Sequence, residues 1–158
     1  LKPEKPTIYS GSQDARAFHT FVRQCNDYVG PNGYNVTREM QVSVVSNFLS
    51  GKANDFFITC VSSSPRRWSL RRFFMELFNW CFPVDFRLQM QERLLACSQR
   101  NRTVREYVHD LEGLYLICGN TISAQEKVSK LWHGFVPYLQ KELWKKELSP
   151  IHSTWRQV

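Results

Sequence analysis

Residues 103–115, which read TVREYVHDLEGLY, decide the fold of this chain. They open with a capping box, in which Thr103 caps a helix start and Glu106 reaches back to the amide of the cap residue. Apolar side chains then recur every three or four residues, which is the spacing of one helix face. These side chains are Val104, Tyr107, Val108, Leu111, Leu114 and Tyr115. The stretch therefore predicts an amphipathic helix that ends at Gly119.

The same spacing recurs along the chain, whereas strict alternation of apolar and polar residues is almost absent. Loops rich in Gly, Pro and Ser separate about nine predicted helices. They are expected near 14–29, 37–49, 53–61, 68–81, 84–98, 103–118, 123–133 and 139–144, with a last one capped at Ser153. The sequence thus predicts an all-α protein.

Two of these helices carry predictions about the side that faces the core. The second, capped at Thr37, is expected to bury Met40, Val44, Val45, Phe48 and Leu49. The fifth is expected to place Leu88, Gln91, Leu94 and Leu95 near one stripe.

Pro83 is the best candidate for a boundary, since proline disfavours helical geometry in the residue before it. It divides the 158 residues into two blocks of about 80. A block of that size buries only about 60% of its surface and is marginally stable alone. Aromatic residues, 14% of the chain, are one remedy, because each buried ring covers a large area.

Composition excludes several classes of protein. Seven Gly and seven Pro rule out collagen and low-complexity chains, and no apolar run reaches the roughly 20 residues of a membrane span. The net charge of +7 is spread over the chain without a basic tail, so weak phosphate attraction is allowed but not demanded. A start without Met predicts a piece of a longer protein.

Five cysteines without a C-x-x-C pair predict free thiols in a reducing compartment, the cytoplasm. Four of them are expected on apolar helix faces as small hydrophobes. These are Cys25, Cys60, Cys81 and Cys118.

The sequence contains no recognisable catalytic or metal-binding motif. The four histidines are scattered without a Cys or carboxylate at ligand spacing, and Glu106 has a structural task in its capping box. The sequence therefore predicts no enzyme, metal, cofactor or small-molecule substrate.

The densest cationic cluster surrounds Trp68. Its members are Arg66, Arg67, Arg71 and Arg72. The spacing of four residues predicts that Arg67 and Arg71 share a helix face, as do Trp68 and Arg72. One interpretation is a contact with RNA or with an acidic neighbouring subunit, in which bases stack on the ring. The other is a solvated helix face with one arginine packed on the ring, and this is favoured.

Several motifs, in order, resemble the capsid domain of Gag from gypsy-class long-terminal-repeat retrotransposons, the retrotransposon-gag family. Residues 9–22 are similar to its opening "F-x-G … F-hydrophobic", 48–53 to its "L-x-G-x-A" step, and 68–78 to its "W-x-x-F-x-x-x-L" helix. Residues 94–108 resemble its "L-x-x-L-x-Q … S-V-x-E-Y" stretch, and 132–139 its "F-x-x-G-L-x-P-x-L".

The fourth of these stretches, 94–108, is also similar to the major homology region of retroviral capsids, here 99–118. The resemblance assigns structural roles there to Gln99, Thr103, Glu106, Tyr107, Val108 and Leu111. One departure is Arg100, which replaces the Gly that usually follows the glutamine and puts the tight turn in doubt.

The resemblance implies an N-terminal capsid lobe at 7–82 and a C-terminal lobe at 84–158. Such a protein self-assembles into a cytoplasmic virus-like particle that packages the element's RNA, with hexamers and pentamers in the shell. RNA would be bound mainly by Gag regions outside this chain, and no membrane would be involved. The helix that begins at Ser123 would supply a two-fold contact through Glu126, Ser129, Lys130 and His133.

Two alternatives remain open. A host-domesticated capsid-like module would keep the same core and act as a protein-binding or dimerising adaptor. A helical nucleic-acid-binding domain would use the arginine cluster and bind with steep salt dependence.

Overall fold

The computed structural model describes residues 2–118 and 122–158, and within these ranges the chain is helical. Its α-helices are α1 (Ala15–Val29), α2 (Gln41–Val45), α3 (Gly51–Phe56), α4 (Leu70–Cys81), α5 (Val84–Ala96), α6 (Val104–Cys118), α7 (Ala124–Gly134) and α8 (Pro137–Lys145). Short 3-10 helices cover Arg38–Met40, Ser46–Phe48 and Pro65–Arg67, and a π-helical turn, Phe57–Val61, continues α3. The all-α prediction is confirmed. The predicted helix stop at Gly119 lies outside the described residues.

The described chain divides between Val84 and Asp85 into two compact units. We call residues 2–84 the first unit and residues 85–158 the second. Among the described helices, none is both long and apolar enough to cross a membrane.

Aromatic rings pack against one another in the first unit. The Tyr9 ring stacks on Phe21 at 5.5 Å between centroids and meets Phe18 edge-on at 5.6 Å. Backbone bonds with Phe48 and Ser50 fix the Tyr9 segment beside Leu49, where an isolated parallel bridge forms. Many of the aromatic residues of the sequence thus pack together in the small core of the first unit.

The N-terminal helix begins one residue after its capping side chain. Asp14 accepts the amide hydrogens of Arg16 and Ala17, which satisfies two of the donors that a helix start leaves free. The predicted start near residue 14 therefore corresponds to the cap.

The predicted second helix is wrong in detail. Thr37 makes no side-chain cap bond, and 3-10 turns flank the five residues of α2. A 3-10 turn advances each residue further around the axis than an α-turn does, so the face that meets the core changes. Val42 and Val45 are buried, whereas Met40 is exposed and Val44 is half-buried.

Two further predictions in the first unit are wrong. Trp68 precedes α4, because Ser69 caps the helix by accepting the Arg72 amide hydrogen and Trp68 itself is extended. Cys60 is exposed, because it lies in the π-helical turn, which holds more residues per turn than an α-helix and so breaks the periodicity assumed from the sequence.

The second unit has its own core. Its buried members are Met90, Leu94, Cys97, Tyr107, Leu111, Leu114, Leu131 and Phe135. Val104, expected to be buried, is 41% exposed. Cys97, which no predicted stripe included, is inside, and all five cysteines are free thiols.

The predicted stripe of α5 is wrong for three of its four members. Leu88 and Leu95 are 52% and 82% exposed, and Gln91 is also exposed. The buried line instead runs through Met90, Leu94 and Cys97, with Phe86 packed against it. Both lines have helical spacing, and the more aromatic and sulfur-rich one faces α6 and α7.

The helix predicted after Ser153 is wrong, because residues 151–158 form turns and irregular backbone without a helix. The Ser153 hydroxyl accepts the amide hydrogen of Ser149. The side chain expected to cap a following helix is thus bonded to a residue that precedes it in the chain. The Thr154 carbonyl accepts from Gln157 and Val158, which makes a single turn. The described residues thus contain eight α-helices.

Candidate functional site

Gln99 joins the α5–α6 loop to the α7–α8 turn. Its side chain is 6% exposed and uses both ends, since Nε2 donates to the Arg102 carbonyl at 3.2 Å and Oε1 accepts from the Val136 amide at 3.1 Å. Its backbone amide donates to the Gly134 carbonyl at 2.8 Å. One buried polar residue, hydrogen-bonded at both ends of its side chain, therefore fixes two loops that lie far apart in sequence.

Thr103 caps α6. Its hydroxyl accepts the Glu106 amide hydrogen at 3.1 Å and lies 3.0 Å from the Glu106 carboxylate. The carboxylate thus meets the cap hydroxyl rather than the cap amide. The start of α6 is fixed directly after the loop that Gln99 anchors.

Tyr107 ties α6 to α7 at the same end. Its ring is buried, and its hydroxyl lies 3.0 and 3.1 Å from the carbonyl oxygens of Lys130 and Leu131. Burial raises the pKa of the Tyr107 hydroxyl, so it stays a donor. A Cβ on Gly134 would come within 1.9 Å of the Tyr107 hydroxyl oxygen, so only glycine fits there. Leu111 is buried and Val108 half-buried on the same helix.

Arg100 has a φ of +51°, in the left-handed region. Glycine enters that region without steric cost, whereas other residues do so rarely. The turn for which the resemblance leads one to expect glycine is therefore made here with arginine.

Arg102, Asp110 and Cys97 form a cluster that the sequence analysis missed. Arg102 pairs with Asp110 at 3.0 Å and donates to the Ser98 carbonyl at 2.6 Å, while the Cys97 thiol lies 3.5 Å from the Asp110 carboxylate. Burial alone would raise the pKa of Asp110, but the hydrogen bonds from Arg102 and Cys97 and the nearby arginine charge hold it below its usual value. Burial raises the pKa of the Cys97 thiol. No periodic signal links a loop arginine to a carboxylate two turns into α6.

This cluster forms part of the wall of an open cavity of about 390 Å³ next to the Gln99 loop. Since the carboxylate is already paired with Arg102, it is engaged in structure rather than left free to act as an acid or base. Among the described residues, no three His, Cys, Asp or Glu side chains gather at a spacing that could hold a metal ion.

The predicted contact residues of α7 share one side of that helix. Glu126 and His133 are exposed, and Ser129 and Lys130 are half-buried, whereas Val128, Leu131 and Trp132 face the core. Positions three, four and seven residues apart lie along one helix face. The Lys130 ammonium donates to the Leu95 carbonyl at 3.1 Å, so this residue also holds the end of α5.

All four arginines around Trp68 are exposed, but they are not on one helix. Arg66 and Arg67 lie on the Pro65–Arg67 3-10 helix, and Arg71 and Arg72 in the first turn of α4. The Arg72 guanidinium carbon lies 4.1 Å from the centre of the Trp68 ring. This contact agrees with the favoured interpretation, in which one arginine packs on the Trp68 ring. The prediction that Arg67 and Arg71 share a face of one helix is wrong, because the two residues lie on different helices.

The described residues thus contain a hydrogen-bonded loop network around Gln99, a polar face of α7 and four exposed arginines around Trp68. Comparison of the chain with models of protein families, with curated proteins and with solved structures gives no match.

Proposed function

We propose that this chain is a capsid-type structural protein whose copies self-assemble into a shell that encloses RNA. The proposal rests on the ordered resemblance to retrotransposon Gag capsid domains, and the all-α fold in two compact units is compatible with it. The observation that carries it is the Gln99 network, which lies where the resemblance puts the major homology region. The free thiols support assembly in a reducing compartment such as the cytoplasm.

The network supports assembly because it holds the start of α6 and the end of α7 in one orientation. A shell needs repeated weak contacts at fixed angles, and a two-fold contact must be self-complementary. The outer face of α7 meets that requirement. If two copies of α7 pair antiparallel about a point between Ser129 and Lys130, Glu126 of each copy faces His133 of the other.

Charge reversal tests this contact. His133→Glu sets two carboxylates against each other at both symmetric positions, so we expect self-association to weaken by about tenfold or more, since like charges face each other. Adding Glu126→Lys to that variant sets opposite charges against each other at both positions, and association should recover. His152→Glu, at an exposed position of the C-terminal segment, is the matched control and should associate like the wild type.

Mass is measured by light scattering against protein concentration and salt, with electron microscopy of the same samples. Dimers that grow into shells or tubes support the proposal. A strict monomer of 18.7 kDa at every concentration and salt contradicts self-assembly and favours the adaptor alternative.

A further inference from the structure

Three elements of the first unit carry exposed arginines that form an arginine surface. It comprises Arg38, Arg66, Arg67, Arg71 and Arg72. The Arg38–Met40 and Pro65–Arg67 3-10 helices pack against each other, which adds Arg38 to the four arginines that the sequence clusters. We use "arginine surface" for these five residues.

The arginine surface has little internal compensation. In the part of the chain that the structure describes, the ion pairs involve other residues, and no carboxylate lies within pairing distance of these five guanidinium groups. Glu39 and Glu76 are the acidic residues of the three elements, so their charge is five minus two, or +3. The first turn of α4 contains no acidic residue, although cations are disfavoured at that end of a helix. This concentration of charge costs stability unless an anion meets it.

We infer that the arginine surface binds the phosphate backbone of single-stranded RNA. The inference rests on the proposed function, since it assigns to this chain a direct contact with the RNA that the shell encloses. Guanidinium forks match phosphate oxygens in two-point contacts, and all five cations here are arginine. A second copy of this chain is a poor counter-ion, because its own net charge is +7.

The geometry of Trp68 limits the mode of binding. Arg72 covers one face of its half-buried ring, and the Phe56 ring meets it edge-on at 6.2 Å. The covered face of the ring therefore does not serve as a platform for bases, and the half-buried Trp68 is not the exposed aromatic anchor that protein interfaces favour. Binding through phosphates alone carries no sequence information, so oligo-U and oligo-A of equal length should bind within about twofold of each other.

The test uses fluorescence anisotropy of a labelled 20-nucleotide RNA with the full chain, at protein concentrations below self-association. For single strands the slope of log affinity against log salt is about −0.7 per phosphate neutralised. The triple variant Arg66→Gln, Arg67→Gln and Arg71→Gln should flatten that slope by about 2 and weaken binding at least about tenfold at low salt. Arg72 is left in place, because it packs on Trp68.

The matched control removes three exposed positive charges from the second unit instead. The control substitutions are Arg105→Gln, Lys141→Gln and Lys146→Gln. Both triples change the net charge by −3, so an equal loss of affinity would show that net charge alone binds RNA and would overturn the inference. Absence of RNA binding, a strong preference between oligo-U and oligo-A, or tighter binding of polyglutamate than of RNA would also overturn it.

Light scattering of the arginine variant without RNA keeps the two proposals distinguishable. Intact self-association with unchanged RNA affinity would contradict only the RNA contact. Loss of self-association in this variant would identify the arginine surface as a contact between subunits and would also overturn the inference. Thermal melts of the control triple should match the wild type, because its changed side chains are exposed. The arginine triple should melt at the same temperature or higher, because it removes exposed charges that repel one another.

Discussion

A few single residues in the second unit fix how its loops and helices are positioned. Gln99 is one of the two polar residues buried in the described structure, and it satisfies a donor and an acceptor in two separate loops. The Tyr107 hydroxyl fills the space that a side chain at position 134 would need, so a larger residue in place of Gly134 would destabilise the fold. These residues set the position of α7 and hence of its outer face.

Gly134→Ala should destabilise the second unit by about 1–3 kcal/mol, the usual cost of overpacking, because the new methyl group overlaps the Tyr107 hydroxyl. Urea denaturation followed by circular dichroism measures the free energy of unfolding. Gly113→Ala, inside α6, is the control and should be neutral or stabilising by up to about 1 kcal/mol through helix propensity. A loss below about 0.5 kcal/mol for Gly134→Ala would contradict the contact.

Asp110 predicts a pH dependence of stability. Its pKa in the fold lies below its ordinary value of 3.8, so the stability that it contributes is present above that value and is lost as the pH falls through the folded-state pKa. Asp110→Asn should therefore be less stable than the wild type at pH 6, with the difference shrinking towards zero in acid. Unfolding titrations between pH 2.5 and pH 7 measure this.

Glu112→Gln serves as the comparison for Asp110→Asn, since Glu112 is exposed on the same helix. Its difference from the wild type should stay small across the range. A constant difference for Asp110→Asn down to the lowest pH would show that the carboxyl interacts little with Arg102.

At the scale of the element, α5 shows how one sequence can present two helical stripes. Leu94 and Leu95 are adjacent leucines, yet one is 8% and the other 82% exposed. The periodicity in the sequence does not choose between the two stripes. The choice is made by the core of the second unit, in which Leu94 is buried together with Tyr107, Leu111 and Leu131.

This pair gives a matched test of the orientation of α5. Leu94→Ala should cost about 2–4 kcal/mol through lost burial and a cavity, whereas Leu95→Ala should stay within about 0.5 kcal/mol. Thermal and urea unfolding of both variants measure the difference. Equal losses for the two leucines, or a larger loss for Leu95, would show that α5 is rotated about its axis.

At the scale of the whole molecule, two small units and a charge of +7 set the expected behaviour. Copies with the same excess charge repel one another, and about 0.1 M salt screens that repulsion beyond roughly 10 Å. Added salt should therefore favour self-association, whereas it weakens phosphate contacts. The two proposals respond to salt in opposite directions, which separates their measurements.

The sequence by itself determined that the chain is all-α, because helical spacing is a local property and repeats in every segment. It also located the capping residues Thr103 and Ser123, since a cap depends on neighbours three residues away. The helix predicted at the end of the chain is wrong, because the local pattern suggests that Ser153 caps a following helix. Its hydroxyl instead accepts the amide hydrogen of Ser149, which precedes it in the chain.

Only the tertiary structure decided which stripe of α5 is buried, where α4 begins relative to Trp68, and how Gln99 and Tyr107 reach α7. The tertiary structure alone also revealed the Arg102–Asp110–Cys97 cluster and placed Arg38 beside the other four arginines of the arginine surface. Each of these depends on partners from other parts of the chain, for which local spacing carries no signal. The periodicity of the sequence predicts that a segment is helical, but which face of the helix is buried depends on side chains from other parts of the chain.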